Sequence, residues 1–213
     1  MIARAVNSPL ELPAATALLM MECQKGVLDA SGKFAAVAAR AAEKAMVASI
    51  ARILAAARGS GRTVVHCLSI ARPDGGGRAA NAPLFRLSRE GLLVGSTRAE
   101  VVDELAPRDG DFVVGRLHGV SPFHGTELDS ILRSRGVRVV IAAGVSINVG
   151  VTGMVIEAVN HGYEVVLPTD AVAGVPAEYE AAQIQSGLRM LARLTTADEV
   201  CAALEAPAQR SSR

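Results

Sequence analysis

The chain has 213 residues, half of them hydrophobic, enough for one substantial core and short for two; a single domain over residues 1–213 is expected, with flexible tails at about 1–13 and 206–213. Twenty-two basic against 21 acidic residues leave a formal charge of +1, so no general field attracts nucleic acid or an anionic membrane, and the expected partner is a small molecule. No window holds about 18 apolar residues in a row and the N-terminus lacks a long apolar core, so neither membrane span nor signal peptide is expected and the location reads as cytoplasmic.

Residues 16–22, TALLMME, form a short apolar run closed by an acid, the pattern of a buried strand carrying a polar group to its C-terminal edge. Over residues 34–57 the positions Met46, Val47, Ile50, Ile53, Leu54 and Ala57 recur at helical spacing and GSGR supplies the stop, which predicts one long amphipathic helix. Residues 62–70, RTVVHCLSI, read as a second strand with His66 in its core, and the following ARPDGGGRAANAP is a loop by its Gly, Pro and Asn content. STRAEVVDELAP has a short helical pattern with Ser96 as cap, and a RDGD turn leads to a third strand at residues 112–115. GTELDSILRSRG sets Leu128, Ile131 and Leu132 on one helix face with Gly136 as the stop, and VRVVIAAG is a fourth strand. SINVGVTGMVIEAVNHG aligns Ile147, Val151, Met154, Val155 and Ala158 along one helical stripe, and YEVVLPTDAV is a fifth strand ending near Asp170. A helix over residues 179–193, a short strand at 194–195 and a helix from Asp198 complete the pattern.

Strands and helices alternate, and the strands are nearly continuous apolar runs. The expected fold is α/β, three-layered and Rossmann-like, with a central, mostly parallel six-stranded sheet, helices on both faces and right-handed crossovers. In such sheets ligands bind beyond the C-terminal strand ends where the strand order reverses. That rule nominates residues 22–24, 116–123 and 144–150. Within them Glu22 offers a carboxylate for acid–base work, or alternatively a cap for a helix or a partner for Arg116; Arg116 offers a planar cation that can clamp an anion. His118 and His124 flank the second segment, as ligand contacts or as structural hydrogen-bonding groups. Arg72, Asp74 and Arg78 either cover a ligand or belong to a solvated loop, and GGG lacks the Lys and Ser/Thr that follow in a phosphate-binding loop.

Taken in order, LLMMECQKGV, SPFHGTELDSILRSRGV and VVIAAGVSINVGVTGMVIEAVNHGYEVVLPTDAVAG resemble the isochorismatase-like hydrolases, the cysteine hydrolase superfamily, across nearly the whole chain. The first is similar to a strand ending Asp-x-Gln and the second to Ser-Ala-Phe-x-x-Thr-x-Leu. The third carries a Gly-Val-Thr-like turn at Gly144, Val145 and Ser146, then Asn148, and closes on Gly162, Tyr163 and Asp170. The resemblance implies hydrolysis of amides or related bonds by an Asp, Lys and Cys triad, in which the thiolate attacks and the carboxylate shuttles its proton. All three differ here. Glu22 replaces the aspartate, and its extra methylene moves the carboxylate by roughly 1.5 Å. The family's lysine lies a few residues before Ser-Ala-Phe, whereas this chain has lysine only at Lys25, Lys33 and Lys44; Arg116 and His118 compete for that place. Gly150 falls on the nucleophile, with no cysteine between Cys67 and Cys201, so covalent catalysis from that position is excluded. The branch that gives the superfamily its name is similar in carrying glycine there, because it cleaves a vinyl ether by protonating carbon.

By this resemblance the catalytic positions are Glu22, Arg116 and Gly150, and the substrate contacts are Gln24, His118, Phe123, Val145, Ser146 and Asn148. Alternation returns Gln24 to the Glu22 face and points Cys23 away from it, as a buried inert thiol. A cis bond at Val145–Ser146 and a homodimer or homotetramer are also implied. No cofactor and no metal are expected: the three cysteines lack zinc spacing, and where some amidase relatives cluster aspartate and histidine, SIARPDGGGR offers only Asp74. Two functions follow. One is a hydrolase acting on a small, anionic molecule by acid–base chemistry without a covalent Cys intermediate. The other is a catalytically degenerate relative serving as a small-molecule-binding or assembly protein. Recruitment of Cys23 or Cys67 as a nucleophile is a third, lesser reading.

Overall fold

The structure, a computed structural model, describes residues 8–86 and 92–206, so residues 1–7 and 207–213 of the expected tails lie outside the described residues. One parallel sheet is built from β1 (Thr16–Met21), β2 (Thr63–Ser69), β3 (Phe112–Arg116), β4 (Val139–Val145), β5 (Glu164–Pro168), β6 (Val172–Ala173) and β7 (Arg193–Thr195). Its order is β3-β2-β1-β4-β5-β7, with β6 beside β4. The count is seven where six were expected; the addition is the two-residue β6, too short to leave a periodic signal. The helices are α1 (Ala35–Glu43), α2 (Met46–Gly59), α3 (Pro83–Arg86), α4 (Leu128–Ser134), α5 (Gly150–Asn160), α6 (Ala177–Ala182) and α7 (Ala197–Glu205).

Strand alternation divides the core in two. Leu18, Met20, Ile141 and Ala143 face Ile50, Ile53, Leu54 and Leu204 of α2 and α7, whereas Ala17, Leu19, Met21 and Val140 face Leu132, Val151, Met154 and Val155 of α4 and α5. Every residue of β1 and β4 is buried, as central strands covered on both faces require. The chain runs outward from β1 through β2 to β3, then returns to the other side of β1 as β4. The reversal point, and with it the ligand crevice, therefore lies between the C-terminal ends of β1 and β4.

Three expected helices differ in form. The long helix breaks into α1 and α2 at Ala45, which takes a left-handed conformation with φ 50°. Lys44, just before the break, donates to Thr169 O, Val172 O and Glu180 across the sheet. The STRAEVVDELAP segment forms two 3₁₀ turns, Thr97–Ala99 and Asp103–Leu105, rather than a helix, and Ser96 makes no side-chain cap bond. Its backbone is taken by the stretch after β1: Lys25 and Gly26 N–H donate to Glu100 O and Arg98 O, and Val102 N–H donates to Cys23 O. The helix expected over 179–193 is α6 followed by a π turn at Gln183–Gly187 and a 3₁₀ turn at Leu188–Met190.

Candidate active site

The crevice begins where β1 and β4 come closest. Met21 pairs with Gly144 at the end of the register, and a Cβ on Gly144 would stand 2.1 Å from Met21 O. Gly144 also has φ 105°, so this crossing requires glycine. Immediately beyond, Glu22 adopts φ 50°, a conformation uncommon for a side chain with a Cβ, while its N–H donates to Cys67 O at 2.9 Å. That turn ends the strand and brings the carboxylate into the crevice. Arg116, the last residue of β3, is buried, ion-pairs with Glu22 Oε1 through Nη2, and donates from Nε to Gly119 O at 3.1 Å. On the β4 side the Val145–Ser146 peptide is cis. Ser146 O accepts from Val149 and Val151 N–H, at 3.2 and 2.9 Å, and Gly150 opens α5. Asn148 clasps Val175 through both amide atoms, Oδ1 accepting from its N–H at 2.9 Å and Nδ2 donating to its carbonyl.

A cavity of about 490 Å³ sits on this floor. Glu22, Arg116, His118, Val145, Ser146, Asn148 and Gly150 all line it. Two nominated residues do not. Gln24 is fully buried, its Nε2 donating to Ser69 O and Ala99 O and its Oε1 accepting from Ser69 N–H, so it pins the segment after β1 instead of meeting a ligand. Strand alternation misplaced it because β1 ends at Met21 and the chain turns at Glu22. Phe123 is buried on the far side of the sheet, stacked on His161 with centroids 5.1 Å apart. His124 stands outside the lining, edge-on to His118, whose Nδ1 lies 3.2 Å from Gly77 O. The sequence reading missed the apolar walls, among them Phe34, Val37, Ile70 and Phe85. Phe85 lies just past the polar, glycine-rich loop, in the four-residue α3.

Gly150 is closely bounded at its Cα: a Cβ there would meet Met21 Cε at 2.9 Å and Val145 O at 3.2 Å. The thiols nearest in sequence to Glu22 and Arg116 do not supply a nucleophile instead. Cys23 and Cys67 are buried in the two halves of the core, and desolvation pushes both up to about 12, so neither is a thiolate at neutral pH. Nor do the residues fit a metal. Asp74 is exposed and bound to Arg72 and to Gly76 N–H, and among the described residues no group of three His, Cys, Asp or Glu gathers for one. No helix among the described residues is long and apolar enough to cross a membrane.

Comparison with known proteins agrees with this architecture. A family model described as the isochorismatase domain matches residues 16–199. An uncharacterized isochorismatase family protein, YwoC of Bacillus subtilis, is 32% identical over 101 residues, 47% of this chain and 53% of that protein, so the match spans about half the length of that relative. The ureidoacrylate amidohydrolase RutB of Methylorubrum extorquens is 31% identical over 190 residues, covering 79% of this chain and 74% of its own. A solved cysteine hydrolase from Pseudomonas syringae pv. phaseolicola superposes with a TM-score of 0.82 at 27% identity, over 94% of this chain and 96% of that one.

Proposed function

The chain belongs to the isochorismatase domain family, and on that premise we propose that it hydrolyses a small anionic molecule by acid–base chemistry, without a covalent cysteine intermediate. The observation that carries this reading is the Glu22–Arg116 pair at the floor of the cavity that Gly150 also lines. Glu22, a carboxylate in its pair with Arg116, takes a proton from the water that adds and passes it to the bond being cleaved, so the carboxylate returns to its starting state. Arg116 remains cationic throughout; it holds Glu22 in place and draws an anion without exchanging protons. Gly150, the first residue of α5, lines the cavity, so the start of that helix faces any negative charge that develops there.

The test is a screen of the purified protein against vinyl ethers, amides, esters and imidates. Glu22→Gln is expected to lower turnover by about 10²–10⁴-fold, while Cys23→Ala and Cys67→Ala keep it. Turnover that survives Glu22→Gln removes this reading. The second reading, a catalytically degenerate relative that binds a small molecule or takes part in an assembly, is favoured by the crowding at Gly150, where an added Cβ would meet Met21 Cε at 2.9 Å and Val145 O at 3.2 Å. It predicts no turnover in any of these classes with ligand binding retained.

A further inference from the structure

Helix α1 joins two features that lie far apart in the chain. Phe34 stands at its N-cap and Val37 in its first turn, and both line the cavity, together with Val27 from the segment after β1 and Val175 from beyond β6. These four side chains are apolar, so a charged group placed against them would give up its hydration with no partner among them to replace it. Phe34 is a poor cap: Ser, Thr, Asp or Asn usually takes that position, and no side-chain cap bond is made here. Helix capping therefore does not account for it, whereas its place in the cavity wall does.

The same helix face continues from Val37 to Arg40 and Lys44 by steps of three and four residues. Both cations reach the buried carboxylate of Glu180, Lys44 Nζ at 2.7 Å and Arg40 Nη2 at 3.0 Å. Glu180 also accepts from Gly174 N–H at 2.8 Å, and the next residue, Val175, is clasped by Asn148, which lines the cavity too. One carboxylate outside the lining thus ties the α1 wall to the neighbouring wall at Val175. A buried ionic cluster adds little net stability over an apolar one of the same shape, because desolvation offsets the attraction, but its hydrogen bonds are directional and fix one arrangement.

We propose that α1 is the specificity wall of the site: Phe34 and Val37 hold an uncharged alkyl or aryl substituent of the substrate, and Glu180 is the residue that positions them. This rests on the proposed site, which puts the reacting bond at Glu22, and specifies what lies beside that bond. Burial of the substituent supplies its affinity. Loss of the anchor at Glu180 lets α1 shift and lowers that affinity without changing any group that touches the ligand.

The experiment measures binding to the full chain by calorimetry, using 3-phenylpropan-1-ol and propane-1,3-diol, which share a hydroxypropyl chain and differ in phenyl against hydroxyl. Neither has a bond for the site to hydrolyse, so the result stands apart from the turnover screen. The phenyl compound is expected to bind more tightly by about tenfold or more. Phe34→Ser and Val37→Thr should each weaken it several-fold, and Phe34→Leu should retain most of the parent affinity. Glu180→Gln should also weaken it several-fold. A loss of stability alone leaves the affinity of the folded protein unchanged, so affinity is read on variants with a native circular dichroism spectrum. Because Glu180 acts through the wall, Phe34→Ser combined with Glu180→Gln should bind little more weakly than Phe34→Ser alone. Lys44→Met, which keeps the Arg40–Glu180 pair, takes the place of Glu180→Gln if that variant does not fold. The subsite is overturned if the diol binds as tightly as the phenyl compound, if neither binds, or if Phe34→Ser leaves the affinity for the phenyl compound unchanged. The positioning role is overturned if the anchor variant binds like the parent, or if its loss adds fully to that of Phe34→Ser. Binding in the expected order without turnover of any substrate would overturn the hydrolase reading alone, and turnover without that order would overturn this proposal alone.

Discussion

Gly150 and Gly144 lie close together in the crevice for different reasons. At Gly150 a side chain would meet the end of Met21, the flexible tip of a thioether, at 2.9 Å and the carbonyl oxygen of Val145 at 3.2 Å, and the glycine's φ is not in the left-handed region. A small side chain should be accepted once that methyl swings aside and the carbonyl yields slightly, and Gly150→Cys is expected to fold with a stability loss of about 1–3 kcal/mol. The introduced thiol lines the cavity at the helix start, so iodoacetamide at neutral pH should label it much faster than Cys23 or Cys67, as peptide mass mapping would read. Labelling no faster than at the two core thiols would mean that Met21 does not yield. At Gly144 the obstacle is the backbone carbonyl of Met21 and the φ is strongly positive, so nothing flexible can give way. Gly144→Ala should cost more than about 3 kcal/mol, seen as a large drop in the urea midpoint, or prevent folding.

The elements that sequence periodicity located well are those whose partners are generic. The six longer strands, α5 and α7 follow from apolar pattern and stop signals, and Thr196 with Glu199 forms a capping box that starts α7 at Ala197, one residue before the predicted start. The misread elements are those whose backbone is claimed by a distant residue. Helical spacing continues through Ala45, yet the chain bends there because Lys44 and Arg40 reach Glu180, at 2.7 and 3.0 Å, in a buried ionic cluster that also accepts Gly174 N–H at 2.8 Å. Nothing within the helix announces a partner more than 130 residues away. Of the residues nominated from the sequence, Glu22, Arg116 and Gly150 line the cavity, whereas Gln24 does not, because there the direction of the chain decides. Glu180→Gln leaves two cations facing a neutral amide, with Arg40 still held by Glu43 at 2.9 Å. A loss of about 2–4 kcal/mol is expected by urea unfolding, less than for a fully isolated pair because both cations remain slightly exposed. A loss under 0.5 kcal/mol would make the cluster irrelevant to the bend.

At the scale of the molecule the largest pH effect should come from a group far from the crevice. His66 is fully buried in β2, with Nε2 3.3 Å from Asp111 Oδ2, and Asp111 is in turn paired with Arg58. A carboxylate at Nε2 fixes the proton there, which leaves Nδ1 bare, and Nδ1 is buried without a hydrogen-bond partner among the described residues. Protonating Nδ1 would place an unsatisfied N–H and a charge in the core. Burial accordingly holds the imidazole below its ordinary value of 6.5, with the Asp111 bond opposing and the Arg58 charge reinforcing that shift. The sign follows from proton counting: as pH falls through 6.5, unfolded chains take up a proton at His66 that folded chains do not, so stability declines with falling pH. The slope from this one site is at most about 1.4 kcal/mol per pH unit. A separate loss begins at lower pH, below the ordinary values of 3.8 and 4.5, because Asp111 and Glu180 are both held low: desolvation would raise them, but the bonds from Arg58, Arg108 N–H and His66 together outweigh it for the first, and those from Arg40, Lys44 and Gly174 N–H for the second. His66→Leu keeps the Arg58–Asp111 pair and removes the titrating ring. Urea midpoints at pH 7.5, 6.5 and 5.5 should therefore fall steadily in the parent and stay nearly level in the variant, while both decline below pH 4. If the variant loses stability between pH 7.5 and 5.5 as steeply as the parent, the sensitivity belongs to another group and the buried imidazole is silent in that range.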